Sequence, residues 1–318
     1  MTKVAVIGVG HFGTEHARVY STCEGAKLVG LCDIDRGAGQ QAADRFGVDF
    51  VPSYRDLIGS VDAVSLAVPT VLHHEIACEL MDAGISVLVE KPIAATLDQA
   101  DEMVALAQER GVVLQAGHLE RFNPAVTAAR KVATTPRFFE AHRLSVFTPR
   151  SLDIDVVMDL MIHDIDIVLS LVQSDVAEVR AAGVPVITPK VDIANARIEF
   201  ENGCIANLTA SRVSGERVRK IRFFQPNQYV SIDYSAQEAA TVSVHPSRGT
   251  SLPTFNARLL PIEKSEPLQL EILAFLRAIN GGPVEVSGLE GRRALALALS
   301  VTDKIEEHRR KTSAHQDA

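Results

Sequence analysis

Val4-Ala5-Val6-Ile7-Gly8-Val9-Gly10-His11-Phe12-Gly13 joins a short apolar, β-branched run to a GxGxxG turn. A buried strand ends at Ile7, and the glycines let the chain turn tightly into a helix whose first N–H groups and dipole can hold a pyrophosphate. Alone this spacing is a weak signal; its context makes it strong. Asp33 ends a second apolar run at 28–32, about twenty residues beyond the turn, where a ribose-binding acid belongs. Gly8, Gly10, His11, Phe12, Gly13 and Asp33 are therefore candidate dinucleotide contacts. A carboxylate at Asp33 accepts from a ribose 2′-hydroxyl and repels a 2′-phosphate, which points to NAD. Arg36 nearby could shelter such a phosphate, so NADP stays open.

Working outward, further β-branched runs at 61–68, 87–89 and 112–115 alternate with helical patterns as far as residue 122. Thr96-Leu97-Asp98-Gln99 is a capping box that opens one of these helices, and Gly111 closes it. Such alternation predicts an α/β fold, a doubly wound parallel sheet of Rossmann type with helices on both faces. Ligands of such sheets bind at the carboxyl ends of the strands. Val68-Pro69-Thr70 and Glu90-Lys91-Pro92 end two of them, so Pro69, Glu90 and Lys91 join the cofactor candidates. Pro92 holds Lys91 in extended backbone and stops the strand. Of His73 and His74, one is expected to face the cofactor, and His73 is the candidate.

Beyond Pro124 the texture changes. Strand-like segments at 193–200, 204–212, 218–225 and 229–234 follow one another with few helices between them, and Asn202-Gly203 signals a hairpin. Residues 123–318 thus read as an α+β domain on a largely antiparallel open sheet, after a dinucleotide-binding domain over 1–122. Helices are expected over 266–280, with Pro267 in the first turn, and 288–311, with a disordered tail from Thr312.

An apolar helix is expected over 154–172. At about 100° per residue, Asp155, Asp159, His163, Asp166 and Ser170 fall on one stripe, which a buried helix must satisfy with protein, water or a ligand. Asp159 and His163, four apart, can touch: the carboxylate orients the imidazole and stabilises its protonated form, as a general base requires. A purely structural Asp–His pair is the alternative, and a metal site from His163, Asp159 and His118 a weaker one, since no ligand spacing demands an ion. At the domain junction, His118, Arg121 and Asn123 are candidate substrate contacts. Arg121 serves equally well as a clamp for a polyhydroxylated or anionic substrate or as half of an interdomain salt bridge.

The chain has 318 residues, formal net charge −8 and 47% hydrophobic residues. That length suits two cores, and the acidic balance offers no field for nucleic acid. Four scattered cysteines suggest neither a disulfide framework nor zinc. No apolar run is long enough to span a bilayer, and the first residues carry no signal-peptide pattern, so a cytoplasmic protein is expected.

The GVGHFG turn, Asp33, Pro69 with His73, Glu90-Lys91-Pro92 and Asp159-xxx-His163 together resemble the glucose-fructose oxidoreductase, inositol dehydrogenase and rhizopine catabolism (Gfo/Idh/MocA) family, over essentially the whole chain. The resemblance implies an NAD(P)-dependent dehydrogenase acting on a CH–OH group, with catalytic roles on Lys91, Asp159 and His163 and homo-oligomer contacts through the C-terminal sheet. GHLERFNPA (117–125), DLMIHDIDI (159–167) and TASR (209–212) are similar to the branch that oxidises the 3-hydroxyl of UDP-N-acetylglucosamine. One departure is visible: Val156-Val157 stands where the family often carries paired glycines ahead of the Asp–His helix. On this reading the substrate lies between the domains. His163, oriented by Asp159, takes the hydroxyl proton, while Lys91 holds the oxygen or acts as the base itself. A free polyol or other small cyclic substrate, and a non-catalytic NAD sensor, are the alternatives.

Overall fold

Val4, Ala5 and Val6 are wholly buried in a strand with a helix layer on either face, which is why the run carries no polar alternation. The structure is a computed structural model and describes residues 1–148, 154–245 and 253–316. In chain order the first elements are β1 (Thr2–Ile7), α1 (His11–Thr22), β2 (Ala26–Cys32), α2 (Arg36–Phe46), β3 (Asp49–Val51), β4 (Ala63–Leu66), α3 (His73–Asp82), β5 (Ser86–Glu90), α4 (Leu97–Arg110) and β6 (Leu114–Gly117). The second stretch gives α5 (Pro124–Arg130), β7 (Phe138–Leu144), α6 (Ile162–Leu171), β8 (Val176–Val184), β9 (Ile193–Phe200), β10 (Ile205–Ser211), β11 (Val218–Gln225), β12 (Gln228–Asp233), β13 (Glu238–His245) and β14 (Thr254–Leu259). Helices α7 (Pro267–Ile279) and α8 (Gly288–Gln316) close the chain.

Six parallel strands in the order β3-β2-β1-β4-β5-β6 form the doubly wound sheet. Sequence reading misses β3 because a three-residue edge strand carries too little pattern. The capping box of α4 is present, with Gly111 left-handed at the helix end. The chain divides into two compact units, residues 1–122 with 266–295, and residues 123–265 with 296–318. The assignment of the whole of 123–318 to one domain therefore needs correction: in α7, Leu268, Ile272 and Phe275 pack with Val4, Tyr20 and Leu28 of the first unit.

In the second unit an eight-stranded sheet runs β14-β13-β12-β11-β7-β10-β9-β8, antiparallel at every junction except β10 with β7. Inside it, Arg143 of β7 is 2% exposed, makes a bidentate pair with Asp164 of α6 at 2.9 Å on both oxygens, and lies 4.9 Å over the Tyr234 ring. Helix α8 runs to Gln316, so a tail disordered from Thr312 is also corrected; the last two residues lie outside the described ones.

The expected single helix over 154–172 is broken. Val157–Met161 forms a π-helical turn ahead of α6, and Asp155 caps its start by accepting from the Val157 and Met158 N–H groups. A wider turn changes the angular step, so the five-residue stripe does not hold. Asp166 is fully buried, whereas Asp159, His163 and Ser170 are half-buried. Asp192 anchors the entry to this segment. Its Oδ2 accepts from the Val186, Ile187 and Thr188 N–H groups at 2.7 to 2.8 Å, and its neighbour Val191 accepts from Val156 N–H. Burial pushes the Asp192 carboxyl up, but these donors outweigh it and bring its pKa down to about 2.

A folded pKa below the unfolded value adds stability that is full above about pH 4 and is lost as pH falls toward 2. Asp192→Asn should therefore lower unfolding free energy at pH 7 by about 1–3 kcal/mol. In urea titrations the gap from the unchanged protein should narrow below pH 4; a gap independent of pH would mean the charge contributes nothing.

Candidate active site

Gly8 leaves β1 with φ +88°, and a Cβ there would stand 2.5 Å from the Ala67 carbonyl oxygen. A Cβ on Gly13 would lie 1.7 Å from the Gly8 carbonyl oxygen, so α1 can start this close to the sheet only without side chains at both positions. Gly10 is different: its φ is −61° and a Cβ would meet nothing within 4 Å. The chain itself does not require glycine there, but a ligand approaching the backbone would. Helix α1 has no side-chain cap and no acid in its first turn, whereas α2 is capped by Asp35 and α4 by Thr96. Its leading N–H groups are thus left for an anion, and these residues fit a pyrophosphate.

Asp33 follows β2. Its Oδ2 accepts from Val9 N–H at 2.7 Å and its Oδ1 from Asp35 N–H at 2.8 Å, which fixes the carboxylate beside the glycine turn with lone pairs left over for a ribose. A cleft of about 500 Å³ runs between them, lined by Gly8, Gly10, Asp33 and Pro69 with Ile34 and Tyr54 among its walls. Arg36 is exposed at the start of α2 and does not line it; His11 and the 48%-exposed Phe12 stand edge to face at the first turn of α1.

Lys91 follows β5, two strands from β1, or about 10 Å along the carboxyl edge from the glycine turn. Two buried histidines hold its surroundings. His73 Nδ1 lies 2.9 Å from the Pro92 carbonyl oxygen and Nε2 2.9 Å from that of Val68, tying together the turns after β4 and β5. Burial pushes its pKa down, and a neutral ring donates to one of the two. His73 stands as a strut between two turns, whereas His74 meets Glu102 at 2.7 Å. The second histidine, His16 of α1, is absent from the sequence candidates. Its Nε2 is 3.0 Å from Glu90 Oε1 and its Nδ1 3.0 Å from Ser65 Oγ. Glu90 is thus turned toward α1 and supports the Lys91 turn, its Oε2 accepting from Lys91 N–H at 3.3 Å.

Three junction residues have partners within their own units. Arg121 is 5% exposed and pairs with Glu290 at 2.6 Å inside the first unit. Asn123 is buried, caps α5 by accepting from Ala125 N–H and donates to the Tyr234 carbonyl. His118 is buried and its carbonyl accepts from Arg121 N–H. In the second unit, Asp159 lies on the π-turn and His163 at the start of α6, both half-buried; π-turns recur at functional sites. Arg212 and Asp192 were not legible in the sequence, and both brace this segment: Arg212 donates to the Ile154 carbonyl at 2.8 Å.

Residues 2–118 match the profile of the oxidoreductase family with an NAD-binding Rossmann fold, and 129–226 that of the GFO/IDH/MocA C-terminal domain. The chain is 40% identical over 309 residues to the UDP-N-acetylglucosamine 3-dehydrogenase of Acidithiobacillus ferrooxidans, covering 96% of this chain and 97% of that one. It belongs to the Gfo/Idh/MocA family. A solved structure of the Acidithiobacillus enzyme superposes with a TM-score of 0.90 at 39% identity, over 96% of this chain and 98% of the other. The scyllo-inositol 2-dehydrogenase (NAD(+)) of Bacillus subtilis is 26% identical over 95% of this chain and 94% of its own. This Gfo/Idh/MocA member is an NAD-binding oxidoreductase, and its glycine turn, uncapped α1 and Asp33 are the residues that fit the cofactor.

Since a Cβ at Gly10 meets no protein atom, Gly10→Ala should melt within about 2 °C of the unchanged protein and yet bind NAD at least tenfold more weakly in calorimetric titration. Unimpaired NAD binding would place the pyrophosphate elsewhere.

Proposed function

We propose that this enzyme oxidises the 3-hydroxyl of UDP-N-acetylglucosamine, or of a closely similar nucleotide sugar, with NAD as acceptor. The chemistry rests chiefly on Lys91, a lysine at the carboxyl end of an interior Rossmann strand with two buried histidines bracing its turn. Near full-length similarity to a UDP-N-acetylglucosamine 3-dehydrogenase supports the substrate. NAD, when bound, supplies the acceptor for the hydrogen that leaves carbon with its electron pair. His163 takes the hydroxyl proton, with Asp159 orienting the ring and favouring its protonated form. The Lys91 ammonium donates to the same oxygen and offsets the negative charge that grows on it as the proton leaves. His118, Arg121 and Asn123, just beyond the end of β6, are the residues of that stretch that would border the sugar.

Two further attributes belong to the same reading. The enzyme works as a homo-oligomer through the second sheet, whose β14 is exposed throughout and carries Phe255 and Leu259 at 69% and 71% exposure. It resides in the cytoplasm, in keeping with four free cysteines and with no described helix long and apolar enough to cross a membrane.

Incubation with NAD and a panel of UDP-sugars and free inositols should yield reduced nicotinamide with UDP-N-acetylglucosamine and little with the inositols. Lys91→Ala and His163→Ala should each lower kcat about 10²- to 10⁴-fold while NAD affinity stays within threefold. Preferential turnover of inositols would shift the assignment to a polyol dehydrogenase, and no turnover of any sugar would favour a sensor.

A further inference from the structure

Beneath the Lys91 turn, in the first unit, lies a chain of hydrogen bonds that the proposed reaction does not use. A carboxylate can only accept, so His16 Nε2 carries the hydrogen shared with Glu90 Oε1. In the neutral ring that leaves Nδ1 as an acceptor, and the Ser65 hydroxyl, 3.0 Å away, donates to it. The Tyr20 hydroxyl, 3.0 Å from Ser65 Oγ, in turn donates to Ser65. Every member as far as His16 is buried: Tyr20 is 1% exposed, and Ser65 and His16 are 0%. The chain runs in one direction, Tyr20 to Ser65 to His16 to Glu90, and the far Glu90 oxygen receives the Lys91 N–H. Three elements take part, since α1 supplies two residues, β4 one and β5 the carboxylate, with Lys91 immediately after it.

We propose that His16 is a positioning residue of the dehydrogenase: by donating to Glu90 it keeps that carboxylate ionised and turned toward the Lys91 backbone, which fixes where the ammonium stands. The inference rests on the catalytic role proposed for Lys91. Burial alone would push the Glu90 carboxyl up, but the His16 hydrogen bond, followed by the electrostatic pull of His16 and then of Lys91, more than reverses it, leaving it below the usual carboxylate range. Among the described residues, few other charged or polar groups face this pair. Glu271 of α7 is fully buried and offers a carboxylate oxygen within 4.8 Å of the ligand atoms of His16 and Glu90, and His73 of α3 feels the Glu90 charge. Gln115 of β6 donates to the Glu271 backbone carbonyl. Of the interactions that lower the Glu90 carboxyl, the His16 hydrogen bond is the largest.

The test compares His16→Leu, His16→Gln, Glu90→Gln and the double variant His16→Leu/Glu90→Gln, with UDP-N-acetylglucosamine and NAD as substrates. A glutamine amide can replace the Nε2–H donor but not the imidazole shape. His16→Leu should lower kcat roughly tenfold to a hundredfold, with KM for NAD and sugar within threefold, and His16→Gln should recover most of that loss. The double variant should be no worse than Glu90→Gln alone, because His16 acts through Glu90. In parallel, carboxyl carbon-13 NMR should show the Glu90 titration midpoint rising in His16→Leu and returning in His16→Gln. Equal losses in the leucine and glutamine variants, additive effects in the double variant, or an unmoved Glu90 midpoint would each overturn the proposal. Wild-type protein that turns over no sugar would contradict the functional reading instead, and the NMR titration would still decide the His16–Glu90 link.

Discussion

The approach of α1 to the end of β1 is the constraint on which the rest of the molecule depends. With a Cβ on Gly13 pressed to 1.7 Å from the Gly8 carbonyl, no other residue lets the helix begin where it does. From that start its uncapped N–H groups follow Gly10 at the edge of the cleft beside Asp33, and His16, three residues beyond Gly13, comes within hydrogen-bond reach of β4 and β5. One local backbone requirement thus sets both the anion site and the support beneath Lys91.

The two units stabilise their chemistry by different means. In the first, the residues around Lys91 are held by neutral or singly charged hydrogen bonds among His16, His73, Glu90 and backbone carbonyls, in a setting where burial disfavours every extra charge. In the second, charged groups do the bracing: Arg143 with Asp164, and Asp192 with three backbone donors, sit under and ahead of the segment that carries Asp159 and His163. Truncating one partner of such a buried pair leaves a desolvated charge at a cost of about 3–5 kcal/mol, which makes these positions structural anchors of the candidate base.

Much of the first unit is legible in the sequence because each of its signals has a single local cause. The glycine turn follows from backbone contact, the Thr96 box from orphan N–H groups, and Lys91 from its place at the end of an apolar run. What stays hidden depends on distant partners. An amphipathic helix such as α7 does not declare which sheet it covers, and Leu268, Ile272 and Phe275 turn out to serve the first. The 100° arithmetic applied over 154–172 presumes a uniform ladder, which the π-turn at Val157–Met161 breaks. His16 left one signal that could have been read: a histidine among Ala17, Val19 and Tyr20 in the first helix of the fold, where an imidazole needs a polar partner from the sheet. Glu290 and Tyr234, partners of Arg121 and Asn123, lie more than a hundred residues away and carry no local signal that pairs them.

Hydride transfer from a nucleotide-sugar carbon to NAD leaves an isotopic signature on the cofactor. UDP-N-acetylglucosamine deuterated at carbon 3 is incubated with the enzyme and NAD, and the reduced cofactor is weighed by mass spectrometry. Direct transfer predicts one deuterium on the nicotinamide of each reduced molecule. Reduced cofactor free of label, or deuterium retained in the sugar after turnover, would contradict it.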